Sequence, residues 1–232
     1  MLKPILFNTE MVKAIQDGRK TQTRRIVKEL GDTPLHHFSD GAAKRFISHG
    51  KAANVKAAPC EPGDILWVRE TWRPARGIMH TYLNGEVVES GDWHEGFEYK
   101  AGGYHFPDGF KESEDEFHLS ELRSEGNWHP SIHMPKETAR IFLRVKDVRA
   151  ERLQDIAEEQ AEKEGCSAGR FPAYGPSDGF FEAPEEWDAI EDFQRVWNET
   201  IKPNDYDVHG WDANPWVWVI EFERCEKPEG WC

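Results

Sequence analysis

Apolar residues at helical spacing first appear close to the start of the chain. Their spacing predicts a helix from Thr9 to Asp17. Asn8 or Thr9 can cap its start, and Gly18 can end it in a left-handed conformation. The polar run that begins at Lys20 is therefore expected to follow directly on a helix stop.

Three other stretches have sequence patterns that are typical of β-strands. They are Asp64 to Trp72, Ala139 to Arg149, and Trp216 to Glu223. The second has the most regular alternation, and the third is rich in residues that favour strands. These stretches predict a sheet that brings together distant parts of the sequence.

Helical spacing returns twice in the second half of the chain. Asp155 can cap a short helix with Glu158 in the capping-box position, and Gly165 can end it. Pro184 can open a longer helix at its favoured first position. The buried face of that helix is expected to contain Trp187, Ile190, Phe193, Val196, Trp197 and Ile201. Strands and helices together predict an α+β fold.

Three long stretches show little periodicity and contain many glycines and acidic residues. They cover residues 31–59, 75–126 and 167–183, and we interpret them as insertions into a single domain of residues 1–232. The second stretch is too long for a plain loop. Phe97 to Lys100, followed by Gly102 and Gly103, favours a hairpin within it.

Composition narrows the classes of function. The chain has 43 acidic residues against 29 Lys and Arg, a formal net charge of −14, which argues against an extended surface for polyanions. Residues 1–9 hold no apolar run of signal-peptide length, and no run is long enough to span a bilayer, so a cytoplasmic location is expected. The four cysteines show no C-x-x-C spacing. We expect reduced thiols, no cofactor and no contact with a membrane.

Residues 18–25 are strongly basic in this otherwise acidic chain. The segment reads GRKTQTRR, so Lys20, Arg24 and Arg25 lie among hydroxyl and amide groups, including Thr23. Guanidinium, ammonium and hydroxyl groups together suit a phosphate or carboxamide ligand. The alternative interpretation is a solvated basic turn after a helix.

A second group of candidate residues lies at the end of the strand Asp64 to Trp72. Arg69, Glu70 and Trp72 stand where side chains can reach the mouth of a barrel, and we include them as ligand-binding candidates. Glu70 is a candidate partner for Arg24 or Arg25. A purely structural ion pair is the alternative for Glu70.

Trp128 and His129 precede a core strand and combine aromatic rings with polar groups. Such residues suit stacking on bases, so both are candidate ligand-binding residues, although loop aromatics that cover the core are the alternative. A zinc site is not predicted here. Pro130 breaks the helix that would place His129 and His133 on one face, and no Cys or carboxylate completes a ligand set.

Several of these segments together resemble ASCH-domain proteins, especially the prophage-encoded kind. The resemblance is carried by LFNTEMVKAIQDGRKTQTRR, by PGDILWVRETW, and by the final WVIEF strand. Its most specific part is the pattern G-x-K-x-x-T-x-R, here Gly18, Lys20, Thr23 and Arg25. The resemblance implies a PUA-like β-barrel flanked by short helices, with the motif lining a cleft. It does not account for the three insertions.

The resemblance also implies partners, because many proteins of this superfamily bind RNA, nucleosides or modified bases. Small bacterial ASCH proteins include an N4-acetylcytidine amidohydrolase, whose catalytic Lys, Thr and Glu correspond by motif to Lys20, Thr23 and Glu164. Glu162 is the nearest competitor of Glu164. Helical spacing favours Glu164, which shares a face with the small residues Ala157 and Ala161.

Three functions remain open at this point. The first is hydrolysis of an amide on an acylated cytidine, with Thr23 as nucleophile, Lys20 as base and Glu164 as proton shuttle. The second is a noncatalytic reader of RNA or of a modified base, which uses the same cleft. The third is cleavage of single-stranded RNA, with Lys20 and Arg24 stabilising the transition state. Residues three apart on a flat strand face opposite sides, so Lys20 and Thr23 meet only if the backbone turns.

Overall fold

The computed structural model describes residues 1–28, 36–39, 44–48, 51–52, 58–83, 86–105, 117–170 and 186–230. The strands are β1 (Leu2–Leu6), β2 (Gln22–Ile26), β3 (His36–Ser39), β4 (Lys44–Ser48), β5 (Lys51–Ala52), β6 (Ile65–Arg69), β7 (Trp72–Leu83), β8 (Glu86–Tyr99), β9 (Tyr104–His105), β10 (Phe117–Ser124), β11 (Phe142–Arg152), β12 (Gly169–Arg170), β13 (Glu186–Trp187) and β14 (Trp216–Cys225). The helices are α1 (Thr9–Gln16), α2 (Glu158–Lys163), α3 (Ala189–Thr200) and α4 (Tyr206–His209).

The chain divides into two compact units. The first consists of Met1–Lys13, Ile65–Leu143 and Arg224–Cys232, and the second of Ala14–Asp64 and Arg144–Glu223. Each unit is therefore assembled from separated stretches of sequence. The organisation as one domain with three insertions stays a prediction.

In the first unit, β1 pairs in parallel with β6, with Leu2 opposite Ile65. A second, antiparallel sheet has the order β10-β7-β8-β9. It occupies most of the stretch 75–126, so this predicted insertion contains regular strands beyond the expected hairpin. The hairpin expected near Phe97 is confirmed, because β8 turns back into β9 and places Phe97 opposite His105.

In the second unit, β14 lies between β11 and β2. Strands β14 and β2 are antiparallel. Val217 and Val219 of β14 are buried against Phe193 and Trp197 of α3, which confirms these two residues of the predicted apolar face. This packing fixes the face of the sheet on which α2 and α3 lie. Trp187, expected on the same face of the helix, lies in β13 before the helix begins, so that part of the prediction is wrong.

Short strands occur in the other two predicted insertions. Within residues 31–59, β3 and β4 are antiparallel, as are β4 and β5. Strand β12 lies in the third insertion and pairs with β13, where Gly169 is opposite Trp187.

The helix boundaries follow the capping chemistry. The first helix agrees with its prediction to within one residue, and Asn8 caps it by accepting a 2.8 Å hydrogen bond from the Met11 amide. The third helix starts later than expected. It begins at Ala189 because Asp188 and Glu191 form a reciprocal capping box, with the Glu191 amide donating to Asp188 Oδ1 at 2.8 Å. Its predicted opening residue, Pro184, lies outside the described residues.

The cap predicted for the second helix is wrong. Asp155 lies in a 3-10 turn before the helix, and Ala157 occupies the N-cap position instead. The side chain of Gln160, the third residue of the helix, helps to cap this end instead of Asp155. Its Oε1 accepts a 3.4 Å hydrogen bond from the Ala157 backbone amide. The predicted stop is confirmed, since Gly165 has a φ of 91°.

These elements confirm the α+β class. The described strands form open sheets and do not close into a barrel, so the PUA-like architecture is not confirmed by them. None of the helices in the part of the chain that the structure describes is long and apolar enough to cross a membrane.

Candidate functional site

The basic segment runs from the end of α1 to β2, beside the end of α2. Gly18 has a φ of 76°, and the Lys20 amide then donates to the Ala14 carbonyl at 2.9 Å. The Thr21 amide donates to the Lys163 carbonyl at 2.9 Å, and Lys20 forms an isolated antiparallel bridge with Glu164. Main-chain hydrogen bonds thus place the motif next to the acid that helical spacing favoured.

Lys20 and Glu164 form a buried ion pair. Lys20 Nζ donates to Glu164 Oε2 at 2.7 Å and to the Glu164 carbonyl at 2.8 Å. The side chains are only 1% and 4% exposed. Because little water reaches the pair, its electrostatic interactions are screened much less than those of a surface pair.

Arg24 completes a cluster around the same carboxylate. Its Nη1 donates to Glu164 Oε1 at 3.0 Å, and its Nη2 donates to Gln160 Oε1 at 2.9 Å. Glu151 Oε2 lies 3.5 Å from Nη2, and the guanidinium carbon lies 5.5 Å from the centroid of the Phe193 ring. One carboxylate, that of Glu164, is therefore shared by two buried cations.

Thr23 is buried and is hydrogen-bonded to a different cation. Its Oγ1 accepts a 2.8 Å hydrogen bond from Arg25 Nη1, which also donates to the Arg24 carbonyl at 2.9 Å. In the β2–β14 pairing, Thr23 is opposite Ile220 and Arg24 is opposite Val219. Since side chains alternate along a strand, Thr23 and Arg24 leave the sheet on opposite faces. The structure thus joins Lys20, Glu164 and Arg24 by hydrogen bonds, and Thr23 with Arg25.

Burial shifts the protonation of groups in this cluster. Removal from water lowers the pKa of Lys20, and the neighbouring Glu164 carboxylate opposes that shift only in part. Burial raises the pKa of the adjacent Cys166 thiol to about 12. Lys20 is therefore closer to its neutral, basic form than an exposed lysine, whereas Cys166 stays a thiol and is a poor nucleophile.

The surroundings of Glu164 distinguish it from Glu162. Glu164 is 7% exposed and follows the fully buried Ala161 by three residues, about one helical turn, whereas Glu162 faces solvent. The glycine that follows packs closely. A Cβ atom on Gly165 would lie 2.9 Å from Ala14 Cβ and 3.3 Å from Lys20 Cβ, so only glycine permits this approach of the two segments.

Two residues of this cluster were missed from the sequence. Gln160 and Glu151 both contact Arg24. Gln160 lies four residues before Glu164 on the same helix, and that spacing is a signal that two side chains share a face. Glu151 lies on β11, and its contact depends on a pairing of distant strands that no local pattern predicts.

The predicted pairing of Glu70 with Arg24 or Arg25 is wrong. Glu70 belongs to the first unit and is bound by Arg140, whose Nε and Nη2 donate to its two oxygens, each at 2.9 Å. This two-pronged geometry suits a guanidinium and a carboxylate. Burial raises the pKa of Glu70, although the hydrogen bonds from Arg140 act in the opposite direction. Glu70 thus has the structural ion pair that was its alternative interpretation.

Four other predicted ligand-binding residues also lie in the first unit, namely Arg69, Trp72, Trp128 and His129. The rings of Trp72 and His129 stack with centroids 4.8 Å apart, and their backbones form an isolated bridge. Trp128 is half-buried, with the Arg73 guanidinium 4.4 Å from its ring centroid. Arg69 donates to the Ile132 carbonyl. These contacts hold the rings against the protein itself, as expected for aromatics that cover a core.

No group of three or more potential metal ligands was found among the residues that the structure describes. No protein-family model, no curated protein and no solved structure matches this chain. The case for a function therefore rests on the chemistry of the cluster around Lys20 and on the resemblance of residues 18–25 to a motif of ASCH-domain proteins.

Proposed function

We propose that this protein is an ASCH-type amidohydrolase that removes an acyl group from a modified base, with N4-acetylcytidine as the model substrate. One observation carries the proposal. Lys20 is buried against Glu164 and has a lowered pKa, and it lies three residues before Thr23 in the sequence, just ahead of β2. A lysine in this state is suited to take a proton from a nucleophile.

The proposed reaction has two steps. In the first, Thr23 Oγ attacks the carbonyl carbon of the acyl amide, and Lys20 takes the hydroxyl proton. The C–N bond then breaks, and the exocyclic nitrogen of the base receives a proton from the Lys20–Glu164 pair. In the second step, water hydrolyses the acyl-threonine ester, which releases a carboxylic acid and restores the hydroxyl. Each turnover therefore consumes one water molecule and yields the unmodified base.

Arg25 supports the role of Thr23. It donates its hydrogen bond to Oγ1, so the hydroxyl proton remains available to a base. A guanidinium at this distance also stabilises negative charge that develops on the oxygen. Gly18 permits the turn that brings the motif from α1 to β2. Arg24 holds Glu164 in place and is proposed to act through it.

A noncatalytic reader of RNA or of a modified base is the second candidate. The alternation along β2 favours it, because Thr23 leaves the sheet on the face opposite Arg24, the residue that shares Glu164 with Lys20. Binding at this cluster requires no convergence of Thr23 with Glu164. No contact among the described residues specifically favours cleavage of single-stranded RNA, which stays a prediction.

The two candidates are separated by incubating the protein with N4-acetylcytidine and with short RNA containing it. Products are followed by mass spectrometry, and binding is measured in parallel. The hydrolase predicts cytidine and acetate in equal amounts. Binding without product supports the reader, and the absence of both binding and product contradicts both proposals.

Matched variants locate the activity. We expect Lys20→Ala and Thr23→Val to lose at least about 100-fold in kcat/KM, the usual scale for a base or nucleophile. The controls are Lys163→Ala and Thr21→Val, which replace exposed residues of the same type close by. Circular dichroism of each variant checks that it is folded. Wild-type rates in a folded Lys20→Ala variant would contradict the mechanism.

A further inference from the structure

A cavity lies in the second unit, and neither Lys20 nor Glu164 belongs to its lining. It has a volume of about 500 Å³ and is bordered by Lys28, Arg152, His209 and Trp216. This volume is within the range of pockets that hold small molecules. The acidic residues of the chain are absent from its described lining, although the formal net charge is −14.

Arg152 is positioned but largely unpaired. Its guanidinium carbon lies 4.6 Å from the centroid of the Trp216 ring, and its Nη1 donates to the Asn214 carbonyl at 2.9 Å. These contacts fix the plane of the side chain. No carboxylate of the described residues pairs with it, so most of its five N–H donors remain for a ligand.

The other two polar groups of the cavity also lack partners. Lys28 is exposed and makes no ion pair with any residue that the structure describes. His209 Nδ1 is buried, and no hydrogen-bond partner is found for it among those residues. Buried ring nitrogens are usually hydrogen-bonded, so this unsatisfied nitrogen, in a residue that lines the cavity, is consistent with a polar ligand there.

The geometry points to a binding site for the phosphate group of a small phosphorylated molecule of mononucleotide size. A guanidinium held flat, an ammonium group and an imidazole are the donors that recognise phosphate oxygens. The remaining wall is mainly apolar and suits the body of such a ligand; it includes Ile26, Val27, Val208, Ala213 and Pro215. This site goes beyond the proposed hydrolysis and requires neither Lys20 nor Thr23.

Calorimetric titration tests this site with four probes: cytidine 5′-monophosphate, cytidine, inorganic phosphate and a short oligocytidylate. Cytidine 5′-monophosphate is expected to bind more tightly than cytidine or phosphate, and more weakly at about 200 mM than at about 50 mM salt. Equal affinity for cytidine and its monophosphate would overturn the role of the phosphate. Much tighter binding of the oligonucleotide would show that the site prefers RNA and would overturn the assignment to a mononucleotide.

Variants assign the binding to this cavity. Arg152→Gln and Lys28→Gln are each expected to weaken binding of the monophosphate by about tenfold, the effect of about 1.4 kcal/mol. Lys28 is exposed and makes no ion pair with a described residue, so its variant is expected to fold and remains informative if Arg152→Gln unfolds. The controls are Arg144→Gln on β11 and Lys202→Gln, which replace exposed cations outside the cavity. Unchanged affinity for the monophosphate in Lys28→Gln and in a folded Arg152→Gln would overturn the proposal. If both variants still hydrolyse acetylcytidine at the wild-type rate, the phosphate site is independent of the proposed hydrolase site.

Discussion

The ammonium group of Lys20 lies 2.7 Å from Glu164 Oε2, with both side chains removed from water. The other carboxylate oxygen accepts from Arg24 at 3.0 Å. One acid, Glu164, therefore contacts two buried cations, and Arg24 has a second carboxylate, that of Glu151, 3.5 Å away. Because Glu164 is bonded to both Lys20 and Arg24, we expect the members of this cluster to respond unequally to substitution.

Glu164→Gln is expected to destabilise the fold more than Lys20→Met. The glutamine leaves Lys20 and Arg24 without their shared carboxylate, and breaking a buried pair in this way costs about 3–5 kcal/mol. In Lys20→Met, Glu164 keeps Arg24, so the cost is about 1–3 kcal/mol. Urea unfolding measures both values.

The control for this comparison is Glu162→Gln, an exposed acid two residues earlier on α2. It is expected to change the free energy of unfolding by less than about 0.5 kcal/mol. If Lys20→Met cost as much as Glu164→Gln, the sharing of one carboxylate by two cations would not determine the stability of this cluster.

The lowered pKa of Lys20 predicts a dependence of stability on pH. Above the pKa of Lys20 in the folded protein, and up to its ordinary value of 10.5, the unfolded chain binds more protons. The contribution of this group to the free energy of unfolding therefore rises with pH through that window. Urea unfolding from about pH 7 to about pH 10 is compared between the wild type and Lys20→Met. The difference in stability, wild type minus variant, is expected to increase with pH, and a decrease would contradict the shift.

Gly165 supplies a test of the close approach between the end of α2 and Lys20. Its φ is 91°, and an added Cβ would meet Ala14 and Lys20. Gly63 has a φ of 90° with no atom within 4 Å of its added Cβ, so Gly63→Ala measures the backbone strain alone. We expect Gly165→Ala to cost about 1–3 kcal/mol more than Gly63→Ala, since overpacking adds to the strain. If the two substitutions lowered the free energy of unfolding equally, Ala14 and Lys20 would accommodate the added Cβ without a further loss of stability.

Local chemistry explains which parts of this fold were predictable. Helix α1 has a side-chain cap at Asn8 and a glycine at its end, and both signals lie within a few residues of the element they define. Glu164 was favoured for the same kind of reason, because helical spacing placed it beside Ala161, which is fully buried. Local signals did not suffice everywhere, because the predicted cap of α2, Asp155, lies in a 3-10 turn before the helix.

Long-range pairing explains most of the errors. Glu70 was given the wrong partner because its binding to Arg140 joins residues that are far apart in sequence. Glycines and charged residues interrupt the alternation in the sheet β10-β7-β8-β9, so only its hairpin near Phe97 was expected from the sequence. A further local signal is the sequence Asn84-Gly85, the pair most typical of a two-residue hairpin, which separates the residues of β7 from those of β8 along the chain.

The Glu70–Arg140 pair gives a last prediction, in which the two partners respond differently to pH. Arg140→Met leaves Glu70 ionised and buried without its partner, which costs about 3–5 kcal/mol near neutral pH. Glu70→Gln leaves Arg140, whose side chain is 14% exposed, and the amide can still accept a hydrogen bond, so the cost is about 1–3 kcal/mol.

Acidification should reduce the difference in stability between Arg140→Met and Glu70→Gln. Burial raises the pKa of Glu70, and loss of Arg140 raises it further, so the folded variant binds more protons than the unfolded chain above the ordinary value of 4.5. The stability that Arg140→Met loses is therefore recovered as the pH falls towards that value, whereas Glu70→Gln has no such group to protonate. Urea unfolding of both variants at about pH 7 and about pH 5, with Arg144→Met as an exposed control, measures the change. A gap that stays constant between the two pH values would show that Glu70 does not take up a proton when its partner is removed.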